Sequence, residues 1–505
     1  MTTAPIVEPG GQTLTARDVG TGDVIAEFPA MDEAAAAAIV ARARTGQSRW
    51  NSAGFGVRRA ALQAWAALIV ARSERFVDLI HQETGKPTDD AYMELAIAVE
   101  HIRWAATHAQ RVLRRRRVSA GMLLPNFSAS IDYEPFGVIG VISPWNYPLF
   151  APVAHLASAL AAGNTVVLKP SEYTSAVGAA LVDAFVDANP GQPADVLALV
   201  TGGAAAGAGL ISGGVDKVGF TGSPKTGRAI LRACADTLTP AVMECGGKDA
   251  MIVAADADIK AAADAAAWGG YSNAGQTCVG VERIYVHQDV SEQFTAALVH
   301  RLRGVTVGAT TKATYGPMTV PAQTDIVCDH VADAVARGTQ LPLGGLERIV
   351  GHNIEPIVVL EADEDSKAVQ EETFGPMVTV RTVPDLDEAV RLANNSKFGL
   401  GASVFSRSDG QRLAARLKCG MVSINSVLGF VSIPALPFGG IGDSGFGRIH
   451  GAEGLREYSR TKSVAHKRFS PPGLNGMLLQ RNPVTVPMLR AMTTARFRRP
   501  KAHVR

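Results

Sequence analysis

The sequence predicts an α/β fold built on parallel sheets, and three observations predict it. Residues 32–48 and 57–115 are alanine-rich with helical periodicity. Further along, short continuous apolar runs alternate with helical segments, the pattern of strands buried on both faces and joined by crossover helices. The 505 residues exceed what one hydrophobic core serves, so two or three domains are expected. In chain order, Asp32 is placed to cap the first helix with its side chain. "FGVIGVISPW" is a short β-rich run closed by turn residues, and the apolar stretch from Leu149 to Ala162 reads as a buried core helix. "GNTVVLKPSE", "ADVLALVTGG", "VDKVGFTGS" and "DAMIVAADAD" repeat the strand pattern, with helices predicted over 175–189 and 224–236. A second α/β block from about 250 to 445 carries "VERIYVHQ", "PMVTVRTV" and "GASVFSRS" as strands. "SASIDYEP" alternates like an exposed hairpin, which needs a partner to be stable. Arg114 to Arg117 cannot form one helical face, because successive residues point ~100° apart. They read as a solvated helix end, favoured by the helix dipole, or as a contact for an anionic surface.

Composition narrows the class. Hydrophobic residues are 47% and charged residues 19%, the balance of a soluble globular protein. The start, "MTTAPIVEPGGQ", lacks the basic-then-apolar pattern of a secretory signal. The stretch 149–162 contains His155 and Ser158 and falls short of the ~18–20 residues a membrane span needs. The five cysteines (Cys234, Cys245, Cys278, Cys328 and Cys419) are scattered and unpaired in spacing. That argues against a disulfide framework or a metal site and for a reducing, cytoplasmic setting. Net charge is +2, but the segment from Pro471 onward holds seven Lys and Arg and no acid, which leaves 2 − 7 = −5 for the rest. The body is mildly acidic and the tail cationic. Nothing here points to nucleic acid.

The common cofactor signatures are absent. No G-x-G-x-x-G follows a strand, and "GFGRIHG" has the wrong spacing. "GSPKTG", Gly222 to Gly227, is followed by Arg228, where a phosphate-binding loop of the NTPase type needs Lys and then Ser or Thr. A strand, this loop and a helix still offer backbone N–H groups and Ser223 to a phosphate. In "NAGQTCVG", Cys278 stands between Gly275 and Gly280, which let backbone come close, and after the stiff Thr277. Alone, this segment reads more readily as a small buried hydrophobe than as a reactive thiol.

"SPWNYP" (143–148), "VLKPSE" (167–172), "VGFTGSPKTG" (218–227), "MECGGKDA" (243–250), "NAGQTC" (273–278), "EETFGP" (371–376) and "PFGGIGDSGFGR" (437–448) occur in this order. Together they resemble the aldehyde dehydrogenase superfamily over roughly residues 20–466. The resemblance implies oxidation of an aldehyde to an acid with NAD or NADP. Cys278 is implied as the nucleophile, forming a thiohemiacetal that loses hydride to nicotinamide and becomes a thioester. Asn146, with the Cys278 backbone N–H, is implied as the oxyanion donor. Glu244 is implied as the base that activates the hydrolytic water. Lys169 and Glu172, with Ser171 between them, would hold the adenine ribose. Ser223 in its Gly222–Gly227 loop, and Trp145, would lie on the phosphate side. Glu372 would take the nicotinamide ribose, Phe374 would pack beside the ring, and Gly246 and Gly247 would let backbone pass close to it. Glu172 favours NAD, since its carboxylate accepts both ribose hydroxyls and repels a 2′-phosphate.

The implied architecture is a Rossmann-like cofactor domain (1–118 and 137–246) and a catalytic domain (247–445). A small β oligomerisation arm (119–136 with 446–466) and a basic tail (467–505) complete it, as a homo-dimer or tetramer. Cys245 stands where the family has Leu, and His155 where many members have Lys. Tyr147, Phe150, Ala151 and Ala154 are expected along the aldehyde tunnel, which favours an aliphatic or aromatic aldehyde over a charged semialdehyde. Arg283 is the one hint of a carboxylate partner. The rivals are a CoA-acylating enzyme, which needs no Glu244, and a silent binding protein on the same scaffold. Pro471, Pro472, Pro483 and Pro487 break the tail into pieces. "GMLLQ" supplies Met477, Leu478 and Leu479, and helical spacing resumes after Pro487. A strap on the body or a neighbouring subunit, disorder, and peripheral contact with an anionic membrane are the three readings.

Overall fold

A computed structural model describes residues 13–121, 124–470 and 483–497. The described residues fall into two units, one within Met1–Val112 and Pro135–Ser459, the other within Leu113–Glu134 and Arg460–Arg505. The first is the α/β fold that the sequence predicts. It opens with an antiparallel pair, Thr13–Arg17 and Val24–Pro29, followed by four helices, Glu33–Ser52, Gly54–Ala71, Ser73–Thr84 and Thr88–Val112. The Asp32 carboxylate caps the first by accepting from the Ala35 N–H at 2.8 Å. The buried indoles of Trp50 and Trp65 set their edges against Phe185 at 6.2 and 5.5 Å.

A six-stranded sheet follows in the order Gly445–Phe446, Ala241–Cys245, Lys217–Gly222, Val138–Ile142, Thr165–Lys169, Leu197–Leu199. All neighbours are parallel except the first pair. The β-branched runs Val138–Ile142 and Thr165–Lys169 are buried along their whole length, as strands covered on both faces must be. Parallel strands end on one edge, so the loops after residues 142, 169, 222 and 245 gather there, where open α/β sheets bind ligands. The core helix is Phe150–Ala162 and the crossover helices include Ser175–Ala188 and Pro224–Thr237. A seven-stranded sheet carries the second block, in the order Gln340–Leu343, Ile357–Leu360, Met377–Val383, Val281–His287, Asp249–Val253, Gly401–Phe405, Met421–Ile424. Only Gln340–Leu343 runs antiparallel to its neighbour.

In the second unit, Phe127–Pro135 lies between Ser459–Lys467 and Arg116–Val118. This corrects one expectation. The arginine run is not a helix end, because the helix stops at Val112 and Arg116–Val118 pairs antiparallel with Ala129–Ile131. Arg115 reaches across to the Asp132 carboxylate at 2.6 Å. The tail holds a helix, Thr485–Phe497, that starts before Pro487 rather than after it; proline is tolerated there because first-turn N–H groups have no helical acceptor. Of the cationic tail residues, Arg481, Arg498, Arg499, Lys501 and Arg505 lie outside the described residues, as do Pro471, Pro472, the "GMLLQ" segment and residues 1–12. Among the described residues no helix is long and apolar enough to cross a membrane.

Candidate active site

Cys278 sits on the loop between helix Ile259–Tyr271 and strand Val281–His287. Three successive residues there, Asn273, Ala274 and Gly275, have φ of 53°, 56° and 70°. Asn tolerates this left-handed backbone, Gly adopts it freely, and Ala274 pays for it. Gly275 is required twice over, since a Cβ there would run into the Gly375 carbonyl. Side chains hold the turn. The Asn273 amide donates to the Asn146 carbonyl at 3.0 Å, and Gln276 donates to the Asn273 carbonyl at 2.9 Å while accepting from the Thr319 N–H at 2.9 Å. The Asn146 amide donates to the Gln276 carbonyl at 2.9 Å. That bond uses one of the two amide hydrogens and fixes the plane of the group. The Tyr147 and Thr277 hydroxyls meet at 2.9 Å. Cys278 itself is partly exposed.

Asn146, Glu244 and Cys278 line one cavity of about 360 Å³. Trp145, Gly222, Ser223, Gly246, Glu372 and Phe374 line the same space. Burial pushes the Cys278 thiol up, and the carboxyls of Glu372, Asp249 and Glu244 add to it. Glu244 projects from strand Ala241–Cys245, and both its carboxylate oxygens are buried with no hydrogen-bond partner among the described residues. Burial holds it well above the usual carboxylate range, opposed by Arg448 and reinforced by Glu457. Cys245, beside it, also faces the cavity, and burial raises its thiol to about 12.

The cofactor candidates form two groups. In the first, Glu372 accepts from the Gly247 N–H at 3.0 Å, and burial followed by Glu282 pushes it up to about 8. A Cβ on Gly246 would overlap that carboxylate, so only glycine leaves the passage open. The Trp145 and Phe374 rings meet edge to face at 5.6 Å. Ser223 caps helix Pro224–Thr237, its hydroxyl accepting from the Thr226 N–H at 3.2 Å. In the second group, Lys169, Ser171, Glu172 and Gly227 are not on the cavity wall. The Lys169 ammonium donates to the Pro170 and Gly202 carbonyls at 2.8 and 3.1 Å and lies 3.9 Å from the half-buried Glu172 carboxylate. Ser171 caps the short helix Glu172–Thr174. On Gly227 a Cβ would press on the Cys245 sulfur and Phe220 at 3.3 Å. Between them the two groups offer the carboxylates of Glu172 and Glu372, a helix end capped by Ser223, and Gly246, where no side chain has room. These residues fit a dinucleotide.

Three features were missed in the sequence. Lys86 is buried, donating to the Asn146 carbonyl at 3.0 Å and to Glu94 at 2.5 Å, with its ammonium 3.9 Å above the Tyr147 ring. Glu94 in turn accepts from the Leu149 and Phe150 N–H groups at 2.8 and 3.0 Å. The available signal was "TGKP", a lysine fixed between a helix-ending Gly85 and a proline. Glu282 accepts from the Thr373 and Phe374 N–H groups at 2.8 and 3.0 Å and pairs with buried Lys248, which sets the "EETFGP" loop. The His101 and His450 rings meet tilted by 56° with centroids 4.2 Å apart, and His450 lines the cavity.

His155 is fully buried. Its Nδ1 meets the Tyr458 hydroxyl at 2.5 Å and its Nε2 the Thr221 hydroxyl at 2.8 Å, and burial followed by Lys217 pushes it down to about 3. It is a neutral imidazole at any working pH. Arg283 is not available to a substrate carboxylate. Its guanidinium donates to the Lys248, Leu392 and Ala393 carbonyls at 2.9, 3.2 and 3.0 Å.

The aldehyde dehydrogenase family model matches residues 6–464. A 4,4'-diapolycopene aldehyde oxidase of a Methylomonas species is 39% identical over 464 residues, 91% of this chain and 87% of the relative. A candidate NADP(+) succinate-semialdehyde dehydrogenase of Mycolicibacterium smegmatis is 35% identical over 494 residues, 95% of this chain and 94% of the relative. The crystal structure of an NAD-dependent aldehyde dehydrogenase from Sinorhizobium meliloti superposes with a TM-score of 0.87 at 33% identity, covering 94% of each chain. The chain belongs to the aldehyde dehydrogenase family.

Proposed function

We propose that Cys278 is the nucleophile, Glu244 the hydrolytic base and Asn146 the oxyanion donor of this chain's NAD(P)-dependent aldehyde oxidation. The observation that carries the assignment is their presence on the wall of one cavity with the dinucleotide candidates. The Cys278 sulfur, as thiolate, bonds to the aldehyde carbon. The free amide hydrogen of Asn146 and the Cys278 backbone N–H steady the resulting oxyanion; each such donor is worth roughly 3 kcal/mol. When bound, the nicotinamide supplies the two-electron acceptor. Glu244 takes a proton from a water that attacks the thioester carbon, and the Cys278 thiolate leaves as the acid forms. Without hydrogen-bond partners, the Glu244 carboxyl is left to such a water. A CoA-acylating enzyme has no use for it. NADH formation from an aldehyde panel, unchanged by CoA, supports this reading; strict dependence on CoA, or no NADH at all, overturns it.

The substrate we infer is uncharged and largely apolar. Tyr147, Phe150, Ala151, Ala154 and Phe438 line the cavity, together with the acids Asp90, Glu94, Glu244 and Glu372. Lys86, the one cation on the wall among the described residues, is bound to Glu94. A semialdehyde carboxylate finds acids and no free cation there. NAD is preferred over NADP, because Glu172, 3.9 Å from the Lys169 ammonium, would accept both ribose hydroxyls and repel a 2′-phosphate. The six-stranded sheet with residues 1–118 and 137–246 serves as cofactor domain and the seven-stranded sheet, 247–445, as catalytic domain. The arm assigned to 119–136 with 446–466, which contributes Phe127–Pro135 and most of Ser459–Lys467 to the three-stranded sheet, joins copies into a dimer or tetramer in the cytoplasm. The basic tail, 467–505, straps a neighbour, the alternative being an anionic membrane surface.

A further inference from the structure

The cavity wall carries a polar group that the oxidation does not use. His450 is 4% exposed, with its ring against Phe150 and Phe438 at 5.5 Å each and His101 at 4.2 Å. Both its ring nitrogens are buried without a hydrogen-bond partner among the described residues. A buried polar atom left unpaired is costly, and native structures keep few of them. The backbone adds a second cost. His450 has φ 64° and ψ 167°, a region essentially reserved for glycine.

The imidazole is uncharged, since burial, followed by His101 and His155, holds its pKa well below the usual value. It therefore offers one N–H and one lone pair. His101 backs it in a fixed tautomer: its Nδ1 faces the Ile97 carbonyl at 2.8 Å and must carry the proton, which leaves Nε2 as a bare, unpartnered acceptor. A carboxylate gains no ion pair from this neutral couple. A carbonyl oxygen can only accept. A hydroxyl matches whichever nitrogen of His450 faces it, because it both donates and accepts.

Resting on the reading of this cavity as the tunnel for a neutral aldehyde, we propose that His450 is a specificity-determining residue that hydrogen-bonds a hydroxyl group carried by the substrate away from its aldehyde carbon. The substrate class is then a hydroxyaldehyde with an otherwise apolar body.

The test is a graded series of straight-chain alkanals and their terminally hydroxylated counterparts, turned over by the full chain with NAD. At the length that reaches His450, the hydroxyl should raise kcat/KM about tenfold, the worth of one buried neutral hydrogen bond. His450→Leu should bring the hydroxyalkanal-to-alkanal ratio at that length to one or below. His450→Asn, which keeps a donor and an acceptor, should retain a ratio above one. A wild-type ratio near one at every length overturns the proposal, and so does a ratio that survives in His450→Leu; either result leaves His450 to a buried water. The wild-type series decides the matter even if the leucine variant does not fold. Turnover of no neutral aldehyde would instead sink the reading of the tunnel, and this proposal with it.

Discussion

In the roles proposed for them, Cys278 and Glu244 share a difficulty: each must lose a proton in a place that discourages charge. Burial and three neighbouring carboxyls raise the thiol, and burial raises the carboxyl. Both active forms are the deprotonated ones, so activity rises with pH from the acid side. Iodoacetamide should alkylate Cys278 slowly at neutral pH and faster through and above the ordinary thiol range near ~8.5. Glu372 is the leading charge behind the thiol's shift, so Glu372→Gln should move this alkylation profile to lower pH. A profile unmoved by that substitution would show that the carboxyl is neutral in the resting site. In rapid mixing, Glu244→Gln should keep a burst of NADH and then turn over slowly, because only hydrolysis is impaired. Loss of the burst would make Glu244 chiefly an activator of the thiol. Cys278→Ser should abolish turnover, since an alkoxide is far harder to form than a thiolate. The ordered motifs put these residues within reach of the sequence. His101 and His450 were beyond it, because their meeting is set by packing between a helix and a loop distant in the chain. A histidine that needs a glycine-like backbone leaves no pattern to read.

Among the elements, the join between helix Thr88–Val112 and helix Phe150–Ala162 bears most on the site. Glu94 sits on the first and caps the second, and its other oxygen holds Lys86 under the Asn146 carbonyl. The pair is almost fully buried, so breaking it strands a charge. Glu94→Ala should cost about 3–5 kcal/mol in urea unfolding. The double replacement Lys86→Met with Glu94→Leu should cost distinctly less than the single change, because it strands none. Equal losses would mean that the two N–H bonds to Leu149 and Phe150, not the ion pair, carry the stability. The strands were legible because β-branched runs such as "TVVLK" announce themselves, and the first helix because Asp32 precedes an alanine-rich run. The arginine run misled for the opposite reason: four like charges have no strand pattern of their own, and only pairing with Phe127–Pro135 makes part of the run a strand.

At the scale of the whole molecule, the described residues present open strand edges. Arg116–Val118 and Ser459–Lys467 are the outer strands of the three-stranded sheet, and both are largely exposed. Unpaired strand edges invite a partner chain. Light scattering should therefore give the mass of a dimer or tetramer, and ending the chain after Lys467 should lower it. A mass unchanged by that truncation, with loss of binding to anionic vesicles at low salt, would move the tail from strap to membrane contact.

Glu244 lies on a strand whose outer edge is covered by Gly445–Phe446, which the chain reaches 445 − 245 = 200 residues later. At a synthesis rate of about 5–20 residues per second, the proposed base waits on an uncovered strand for roughly 10–40 s while the intervening chain leaves the ribosome. The catalytic wall is thus one of the last surfaces to be closed during biosynthesis. A nascent chain arrested before residue 445 would offer chaperones, or another arrested chain, the very strand that carries Glu244.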